Sequence, residues 1–399
     1  MKKLLALALA MAMALSLTAC GGDGDTSGGN TSGGNTSADT SSTIDPSEVA
    51  LTTEITSTDQ ITIRIAHDTS EQHPSHIVLE EAFKAPLEAA SNGNITVEIY
   101  PNSMLGSLTE NFNSIQMGDL EMAYLNDSII SGFIPEFNVV GLPYLFTSVD
   151  NAHEALLGEF GDELSQMLYD QQGLINLGWC DVGFRNLTNS KHPITSVADL
   201  SGLKIRTQTN DVHVAYFDAL GALPTPMSFN ELYSALQQKT VDGQENPTAM
   251  IWNNNIWEVQ PYMTVSEHVW TATTLCIGAE FFEGLPEDYQ AAIQEAADNT
   301  TRLQREMITQ ENEELLQNII DGGVEVVELT DEAKQEFIDI AQESVYPQAA
   351  QDYGQELIDL ALSYNGAADT SGGDTGDADT SSASTPGSDV SASTSSSAA

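Results

Sequence analysis

The sequence predicts an α/β protein of two domains, and three observations support this prediction. Strand-like and helix-like segments alternate along the chain, which is typical of α/β layers with mainly parallel sheets. Residues 59–365 have ordinary globular composition, and about 300 residues are enough for two domains of typical size. A helical pattern runs from 286 to 320. Because a helix of that length reaches about 50 Å, we expect it to brace both domains.

Each element is predicted from its local pattern. Alternating apolar and polar residues predict strands at 60–66, 94–100, 120–125, 174–187 and 203–206. Apolar residues at helical spacing predict helices up to residue 90 and at 108–117, 211–220, 228–238, 286–320, 331–343 and 347–364. The long helix has proline and two acids in its first turn and a glycine pair, 322–323, at its end. These are ordinary start and stop signals for a helix.

The N-terminal sequence predicts a secreted, lipid-anchored protein. Lys2 and Lys3 precede an apolar run at 4–17, and a small-residue cleavage site follows that ends at Cys20. This arrangement is typical of a secretory signal. It resembles a bacterial lipobox, in which the cysteine is lipidated. We therefore predict a signal peptide at 1–19 and attachment to the cell membrane through Cys20; an ordinary signal peptide with an incidental cysteine is the alternative.

Two segments have little apolar surface to bury. Gly, Ser, Thr, Asn and Asp dominate both 20–58 and 366–399, and such composition does not sustain a packed core. We expect 20–58 to be a flexible tether through which an anchored body reaches a membrane partner. We expect 366–399 to be a disordered low-complexity tail.

The charge of the chain restricts its partners. There are 59 acidic and 12 basic residues, a formal net charge of −47, which excludes nucleic acid because a phosphate backbone would be repelled. Four of the 12 cations nevertheless fall within 185–206, namely Arg185, Lys191, Lys204 and Arg206. This cluster is a candidate anion site; the alternative is ion pairing with nearby surface carboxylates.

The sequence carries no catalytic or metal-binding motif that we recognise. A nucleophile elbow, a P-loop, a dinucleotide fingerprint and a zinc-protease helix are all missing. His67, His73 and His76 cluster, but their spacing fits no common zinc pattern. We therefore predict no enzyme activity, no metal and no cofactor. Cys180 and Cys276 lie in apolar stretches, where they are either a disulfide or two buried thiols.

The stretch 178–247 carries the functional prediction. A strand delivers Arg206 at its end, a proline-rich turn presents Met227 and Phe229, and a tight Asp-Gly turn presents Asn246. A guanidinium, an aromatic wall and a carboxamide suit a small carboxylate with polar substituents. The alternatives are an interdomain ion pair for Arg206, a core position for Phe229 and a turn cap for Asn246.

These blocks resemble the substrate-binding proteins of tripartite ATP-independent periplasmic (TRAP) transporters, the DctP-like family. The most specific matches are DLSGLKIR at 199–206 and VDGQENP at 241–247. Earlier matches include YPNS at 100–103 and MGDLEM at 117–122. The resemblance covers 63–364, which is essentially the whole body.

The resemblance implies a periplasmic-binding-protein-like fold with a ligand cleft between two α/β domains and a long helix that spans both. Domain I is expected at 59–183 plus 272–311. Domain II is expected at 184–271 plus 312–365.

The resemblance also implies ligand-binding residues. The arginine that matches Arg206 forms a bidentate salt bridge with the ligand carboxylate. Arg185 matches a second arginine that faces the carboxylate, although the interval to Arg206 is one residue longer than in sialic-acid receptors. Asn246 matches an asparagine that contacts the carboxylate, and Phe229 matches an aromatic wall. Asn126 stands where sialic-acid receptors have a glutamate, which argues against sialic acid.

Asp68, with His67 before it, lies near the first ligand-contacting loop of the family. The functional prediction is an extracytoplasmic solute-binding lipoprotein, expected to be a monomer, that delivers a C4-dicarboxylate, a uronate or a related acid to a membrane transporter. A second cation in the pocket would favour a dicarboxylate, and the polar Asn126 favours a hydroxyl-rich acid. The competing classes are a binding protein of an ATP-driven importer, a secreted enzyme acting on a carboxylated sugar, and a chemosensory receptor.

Overall fold

The computed structural model describes residues 44–366, and these residues fold around two β-sheets. The first sheet contains β1 Ile61–Ala66, β2 Ile95–Tyr100, β3 Met122–Asn126, β4 Leu174–Phe184 and β10 Trp270–Gly278. The second contains β5 Asn186–Asn189, β6 Lys204–Thr207, β7 Leu223–Pro226, β8 Gly243–Asn246, β9 Tyr262–Val265 and β11 Glu325–Glu328. Their strand orders are β2-β1-β3-β10-β4 and β11-β9-β5-β8-β6-β7. The predicted α/β fold class is thereby confirmed.

Helices connect the strands. In the first half of the chain these are α1 Pro74–Val78, α2 Ala85–Ala90, α3 Leu108–Gln116, α4 Asp127–Ile130, α5 Val149–Leu156 and α6 Glu159–Gln172. In the second half they are α7 Asp211–Ala219, α8 Phe229–Gln237, α9 Thr248–Asn253, α10 Ala279–Glu283, α11 Glu287–Asp321, α12 Asp331–Ser344, α13 Tyr346–Ala349 and α14 Gln355–Ser363. A π-helical turn, Leu79–Lys84, joins α1 to α2.

Both sheets are mixed, and five of the nine strand pairs within 44–366 are parallel, so the parallel pairs that the sequence predicts form only a narrow majority. Parallel pairs join β1 to β2 and β3, β6 to β7 and β8, and β9 to β11. The antiparallel pairs all involve β5 or β10. These strands adjoin the two places where the chain crosses between the sheets, and each crossing reverses strand direction relative to its neighbours.

The first crossing interrupts a stretch that the sequence predicts as one strand, 174–187. The chain leaves the first sheet after Phe184 and enters the second at Asn186, so Arg185 lies between β4 and β5. Gly183 has φ +107°, a conformation that side-chain-bearing residues rarely adopt. The backbone N–H of Arg185 donates to Val269 O at 2.8 Å, and the N–H of His268 donates to Arg185 O at 3.2 Å. The two crossing segments therefore bond to each other at this point.

The long helix α11 is confirmed, with 35 residues. Its Gln304 donates to the backbone O of Asp181 at 2.7 Å and accepts from the N–H of that residue at 2.8 Å. About two helical turns further along, Asn312 accepts from the N–H of Ala249 at 2.9 Å and donates to Val182 O at 3.3 Å. The helix therefore holds a crossing strand of the first sheet and α9, which follows the second sheet's β8.

Two segments that the sequence presents as turns are strands. β7 contains two prolines, and β8 is the polar run Gly-Gln-Glu-Asn. β8 lies between β5 and β6, and all four of its residues are buried. The Asp-Gly pair and the polar composition suggested a tight turn at this position. Burial of three long polar side chains requires partners from other segments, and a local pattern does not show them.

The predicted flexible tether, 20–58, is wrong for 44–58. Val49 is buried against Val78, Ala82 and Leu303, and we refer to 44–58 as the strap. Leu51 and Ile55 pack against the core of the first sheet, and the polar residues of the strap form hydrogen bonds with two carboxylates of α11. Because these partners lie far along the chain, the low hydrophobicity of the strap concealed its docking. The predicted signal peptide, Cys20, the rest of the tether and the tail lie outside the described residues.

Both body cysteines, Cys180 and Cys276, are buried free thiols. Burial raises the pKa of each to about 12. No helix within 44–366 combines the length and apolarity needed to cross a membrane.

The strap is held by two carboxylates. Glu295 accepts from the N–H groups of Thr52 and Thr53, and Asp288 accepts from those of Thr56 and Ser57, all between 2.7 and 2.9 Å. Burial alone would raise the pKa of Glu295, but these hydrogen bonds outweigh it and lower the pKa to about 2. Hydrogen bonds from Ser57 and Thr56 also hold the pKa of Asp288 well below its ordinary value.

Docking of the strap should therefore depend on pH. Because both pKa values are depressed in the folded protein, the carboxylates stabilise it above the ordinary carboxyl pKa of about 4 and lose this effect as the pH falls toward about 2. We expect the difference in free energy of unfolding between the wild type and Asp288→Asn/Glu295→Gln to be constant above pH 5 and to shrink below pH 4. Urea denaturation across this range measures it, with Glu287→Gln as the control. A difference independent of pH would contradict the assignment.

Candidate functional site

A cavity lies between the two sheets. It is lined by the first loop after β1, by α4 and by β10 on one side, and by β6, the turn before α8 and the end of β8 on the other. All six predicted ligand-binding residues line it, namely Asp68, Asn126, Arg185, Arg206, Phe229 and Asn246. The structure therefore brings together residues that are up to 178 positions apart in the chain.

Arg206 is buried at the carboxyl end of β6. Its Nε and Nη2 atoms donate to the backbone oxygen of Met227 at 3.1 and 2.8 Å. Among the described residues, its Nη1 has no hydrogen-bond partner. Burial lowers the pKa of Arg206 to about 10, so the guanidinium remains charged at neutral pH. A buried cation with a free donor is suited to an anion in the cavity.

Arg185 also lines the cavity, but its charge is compensated. Its guanidinium forms a buried ion pair with Glu245 and also donates to the Thr271 hydroxyl at 3.2 Å and to Asn246 Oδ1 at 3.0 Å. Burial opposes ionisation of Glu245, but Arg185 and His268 outweigh it and hold the Glu245 pKa well below its ordinary value. Glu245 is therefore ionised, and the alternative of ion pairing applies to Arg185 and not to Arg206.

The second-sheet side of the cavity combines an amide with an apolar wall. Asn246 ends β8, where its Oδ1 faces Arg185 and its Nδ2 donates to Gln244. Phe229 begins α8 and is half-buried, and it lines the cavity together with Met227 and Met250. Phe229 also packs against the core of the second sheet, so its core and cavity roles coexist.

The first-sheet side supplies Asn126 and Asp68. Asn126 ends β3 and caps α4, because its Oδ1 accepts from the N–H of Ile129 at 3.0 Å. Asp68 follows β1. Burial raises the pKa of Asp68 to about 6, and the charge of Arg206 partly opposes this shift. On this wall, the carboxyl group of Asp68 can accept hydrogen bonds from ligand hydroxyl groups.

The histidine cluster beside Asp68 forms a hydrogen-bonded chain. His67 Nε2 lies 3.1 Å from His76 Nδ1, and its Nδ1 lies 2.9 Å from the Thr69 hydroxyl. His73 caps α1, with Nδ1 accepting from the N–H of Ser75 at 3.2 Å. Burial lowers the pKa of His67 and of His73 to about 3, so both rings are neutral at physiological pH. Across 44–366, His, Cys, Asp and Glu side chains do not converge in a group of three that could hold a metal ion.

Several cavity residues were missed by sequence reasoning. They are Ser75, Tyr124, Gln208, Thr271 and Thr273. Gln208 could have been found, because residues two apart on an extended segment share a face and Gln208 follows Arg206 by two. Thr271 and Thr273 required knowledge that β10 lies beside β3 and β4. Tyr124 is both buried in the first-sheet core and part of the cavity wall.

A cleft between two α/β domains, lined by buried cationic and amide groups, is typical of a solute-binding protein. Comparison with known families identifies which one. Residues 65–352 match the DctP family, described as bacterial extracellular solute-binding protein, family 7. The chain belongs to this family.

Individual relatives span most of the chain. A 2,3-diketo-L-gulonate-binding periplasmic protein of Escherichia coli K12 is 30% identical over 69% of this chain and 83% of its own length. The sugar acid binding protein of Advenella mimigardefordensis, solved with galactonate, is 32% identical with a TM-score of 0.75, covering 78% of this chain and 99% of the other. A TRAP periplasmic solute-binding protein of Sulfurospirillum deleyianum with bound succinate is 29% identical with a TM-score of 0.73, covering 77% and 99%.

The buried ion pair between Arg185 and Glu245 predicts that one isosteric substitution strongly lowers the stability of the protein. Glu245→Gln leaves Arg185 as an uncompensated buried cation, and breaking such a pair costs about 3–5 kcal/mol. We expect the free energy of unfolding to fall by that amount in urea denaturation. Glu231→Gln, an exposed carboxylate of α8, is the matched control and should change stability little. A loss below about 1 kcal/mol for Glu245→Gln would show that the pair is not ionised.

Proposed function

We propose that this protein is a lipid-anchored extracytoplasmic receptor that binds a small organic acid and delivers it to a TRAP-type secondary transporter in the membrane. The observation that carries this proposal is Arg206, a buried guanidinium with an unpartnered Nη1 in a cavity between two domains. Relatives that bind galactonate, succinate and 2,3-diketo-L-gulonate support a carboxylate ligand.

The proposed mechanism is binding followed by domain closure. The carboxylate meets Arg206 and the amide of Asn246, and Phe229 covers an apolar face of the ligand. Asn126 and Asp68 contact its distal end from the other wall. Closure expels water from the cavity, which strengthens the charged contacts because the local dielectric constant falls. The closed form then docks on the integral-membrane subunits of the transporter.

The proposed hinge divides the body into 59–183 plus 272–311 and 184–271 plus 312–365. The change of sheet between β4 and β5 supports the first boundary, and the start of β10 in the first sheet supports the second. Closure would bend the chain at these crossings, where Gly183 already adopts positive φ.

An enzyme acting on a carboxylated sugar is the competing function. It requires a nucleophile or an acid–base pair beside the ligand. Among the described residues that line the cavity, Asp68 is the one carboxyl group, and the neighbouring histidines His67 and His73 are neutral and buried. We propose that the protein is not an enzyme, and that it acts as a monomer without nucleic acid or cofactor.

The carboxylate role of Arg206 predicts a selective loss of binding. Truncating one side of a buried, hydrogen-bonded charge pair costs 2 kcal/mol or more, so Arg206→Ala should weaken carboxylate binding by at least about 30-fold. Arg206→Lys should retain part of the affinity, because it keeps the charge and loses the planar fork. Calorimetry on a panel of organic acids measures this, with the exposed Lys204→Ala of the same strand as control. NMR of the recovered ligand tests for turnover.

Equal binding by Arg206→Ala and the wild type would overturn the assignment of Arg206. Chemical conversion of the ligand would favour the enzyme instead.

The proposed lipid anchor predicts that Cys20 determines localisation. Because one acylated residue carries membrane attachment, we expect Cys20→Ala to move the protein out of the membrane fraction or to leave its signal peptide uncleaved. Fractionation and intact mass of the expressed full chain measure both outcomes. Cys276→Ala, which removes a thiol of the body, should remain membrane-bound. A Cys20→Ala protein that is processed normally and stays in the membrane fraction would exclude the lipid anchor.

A further inference from the structure

Several polar side chains that line the cavity are oriented by hydrogen bonds to other protein groups, and these bonds leave their donor groups free for a ligand. Asn126 Oδ1 is engaged by the N–H of Ile129 at 3.0 Å, which leaves its NH₂ group for the cavity. Gln208 Oε1 accepts from the Ser128 hydroxyl at 3.0 Å, a contact that crosses the cleft from α4 to the segment after β6. The Gln208 NH₂ group is likewise left for the cavity. Both amides therefore act toward a ligand as donors.

The same pattern holds for an imidazole and a hydroxyl group. His73 Nδ1 accepts from Ser75 N–H, which places the proton of the neutral ring on Nε2. In the part of the chain that the structure describes, this buried Nε2 has no partner. Thr271 Oγ1 accepts from Arg185, so its own proton is available to a ligand. Each of these groups has its acceptor atom occupied and its donor free.

The charges on the cavity wall also restrict the charge that a ligand can carry. Of the described residues that line the cavity, the ordinarily charged ones are Arg185, Arg206 and Asp68. Arg185 is neutralised by Glu245 behind it. Arg206 therefore offers the one positive charge that is not already compensated within hydrogen-bond distance. A second carboxylate on the ligand would meet neutral donors and the carboxyl group of Asp68.

The neutral donor groups that line the cavity with Arg206 suit neutral oxygen atoms. Amide, imidazole and hydroxyl donors bind hydroxyl or carbonyl oxygens, and they do so without the desolvation cost that a second ionised carboxylate would carry. Asp68 is an acceptor, and a ligand hydroxyl group can donate to it while accepting from a neighbouring amide. A ketone oxygen can only accept, so hydroxyl groups satisfy this wall more completely.

We propose that the ligand is a singly charged, polyhydroxylated carboxylic acid, of the aldonate or uronate class, and that dicarboxylates are excluded as physiological ligands. This inference rests on the proposed function and narrows its substrate class. One carboxylate binds Arg206, and a chain or ring of hydroxyl groups fills the donor-rich wall formed by His73, Asn126, Gln208 and Thr271.

A matched set of ligands tests the proposal on the intact body of the protein. D-Gluconate, D-glucuronate and D-galactonate are compared by calorimetry with three analogues of the tightest binder. The corresponding aldarate adds a second carboxylate to the same carbon chain. The corresponding alditol removes the carboxylate, and hexanoate removes the hydroxyl groups. We expect each analogue to bind at least 10-fold more weakly than the parent acid, and succinate to bind no better than the aldarate.

A charge-adding variant provides the reciprocal measurement. Gln208→Lys supplies a second uncompensated cation on the wall, so we expect it to reduce the preference for the parent acid over its aldarate by at least 10-fold. Gln208→Met, of similar length and neutral, is the control and should weaken both ligands together. An unchanged preference in Gln208→Lys would show that charge at this wall does not determine selectivity.

The outcomes separate the two proposals. If the aldarate or succinate binds as tightly as the parent acid and Arg206→Ala abolishes this binding, the inference is wrong and the receptor function stands. If hexanoate equals the parent acid, the donor-rich wall is not a recognition surface and the inference is again wrong. If no carboxylate binds to folded protein freed of ligand by denaturation and refolding, the proposed function itself fails.

Discussion

The buried ion pair between Arg185 and Glu245 is the interaction on which the rest of the structure depends. Arg185 occupies the single residue between β4 and β5, and its backbone bonds to the other crossing segment at His268 and Val269. Its guanidinium holds Glu245 on β8 and Thr271 on β10. A buried charge without its partner costs several kcal/mol. The pair therefore links the first crossing to β8 and β10, and the charge of Arg206 is left for the cavity.

Most of the fold could be predicted from the sequence where the pattern is local. The long helix and the strands of the first sheet have regular periodicity and clear ends, and α11 agrees with its prediction within one residue at each end. The sequence could not reveal β8, because Gln244 and Glu245 read as turn residues until their partners are known. The sequence did not predict docking of the strap for the same reason. Its threonines and serine look solvated, and their partners, Asp288 and Glu295, lie more than 230 positions away.

In the candidate site, too, local sequence patterns identified some features, and tertiary contacts determine the others. Family motifs identified Arg206, Asn246 and Phe229, and the structure places all three at one cavity. No motif indicated that Arg185 is neutralised, although its partner Glu245 stands beside Asn246 in the quoted block. Which atom of an amide faces the cavity depends on a backbone or hydroxyl group from another segment, such as Ser128 for Gln208. Such orientation belongs to tertiary structure, so residue type alone could not give the polarity of the wall.

The recessed position of Arg206 has a kinetic consequence in so acidic a protein. With a formal charge of −47, the surface repels anions, while the cation that receives them is buried at the base of β6. At physiological ionic strength the Debye length is about 8 Å, so dissolved salt confines the repulsion to a thin shell. Contacts inside the cavity are screened much less. Salt thus speeds the arrival of the ligand without loosening it once bound, and a saline medium favours faster capture.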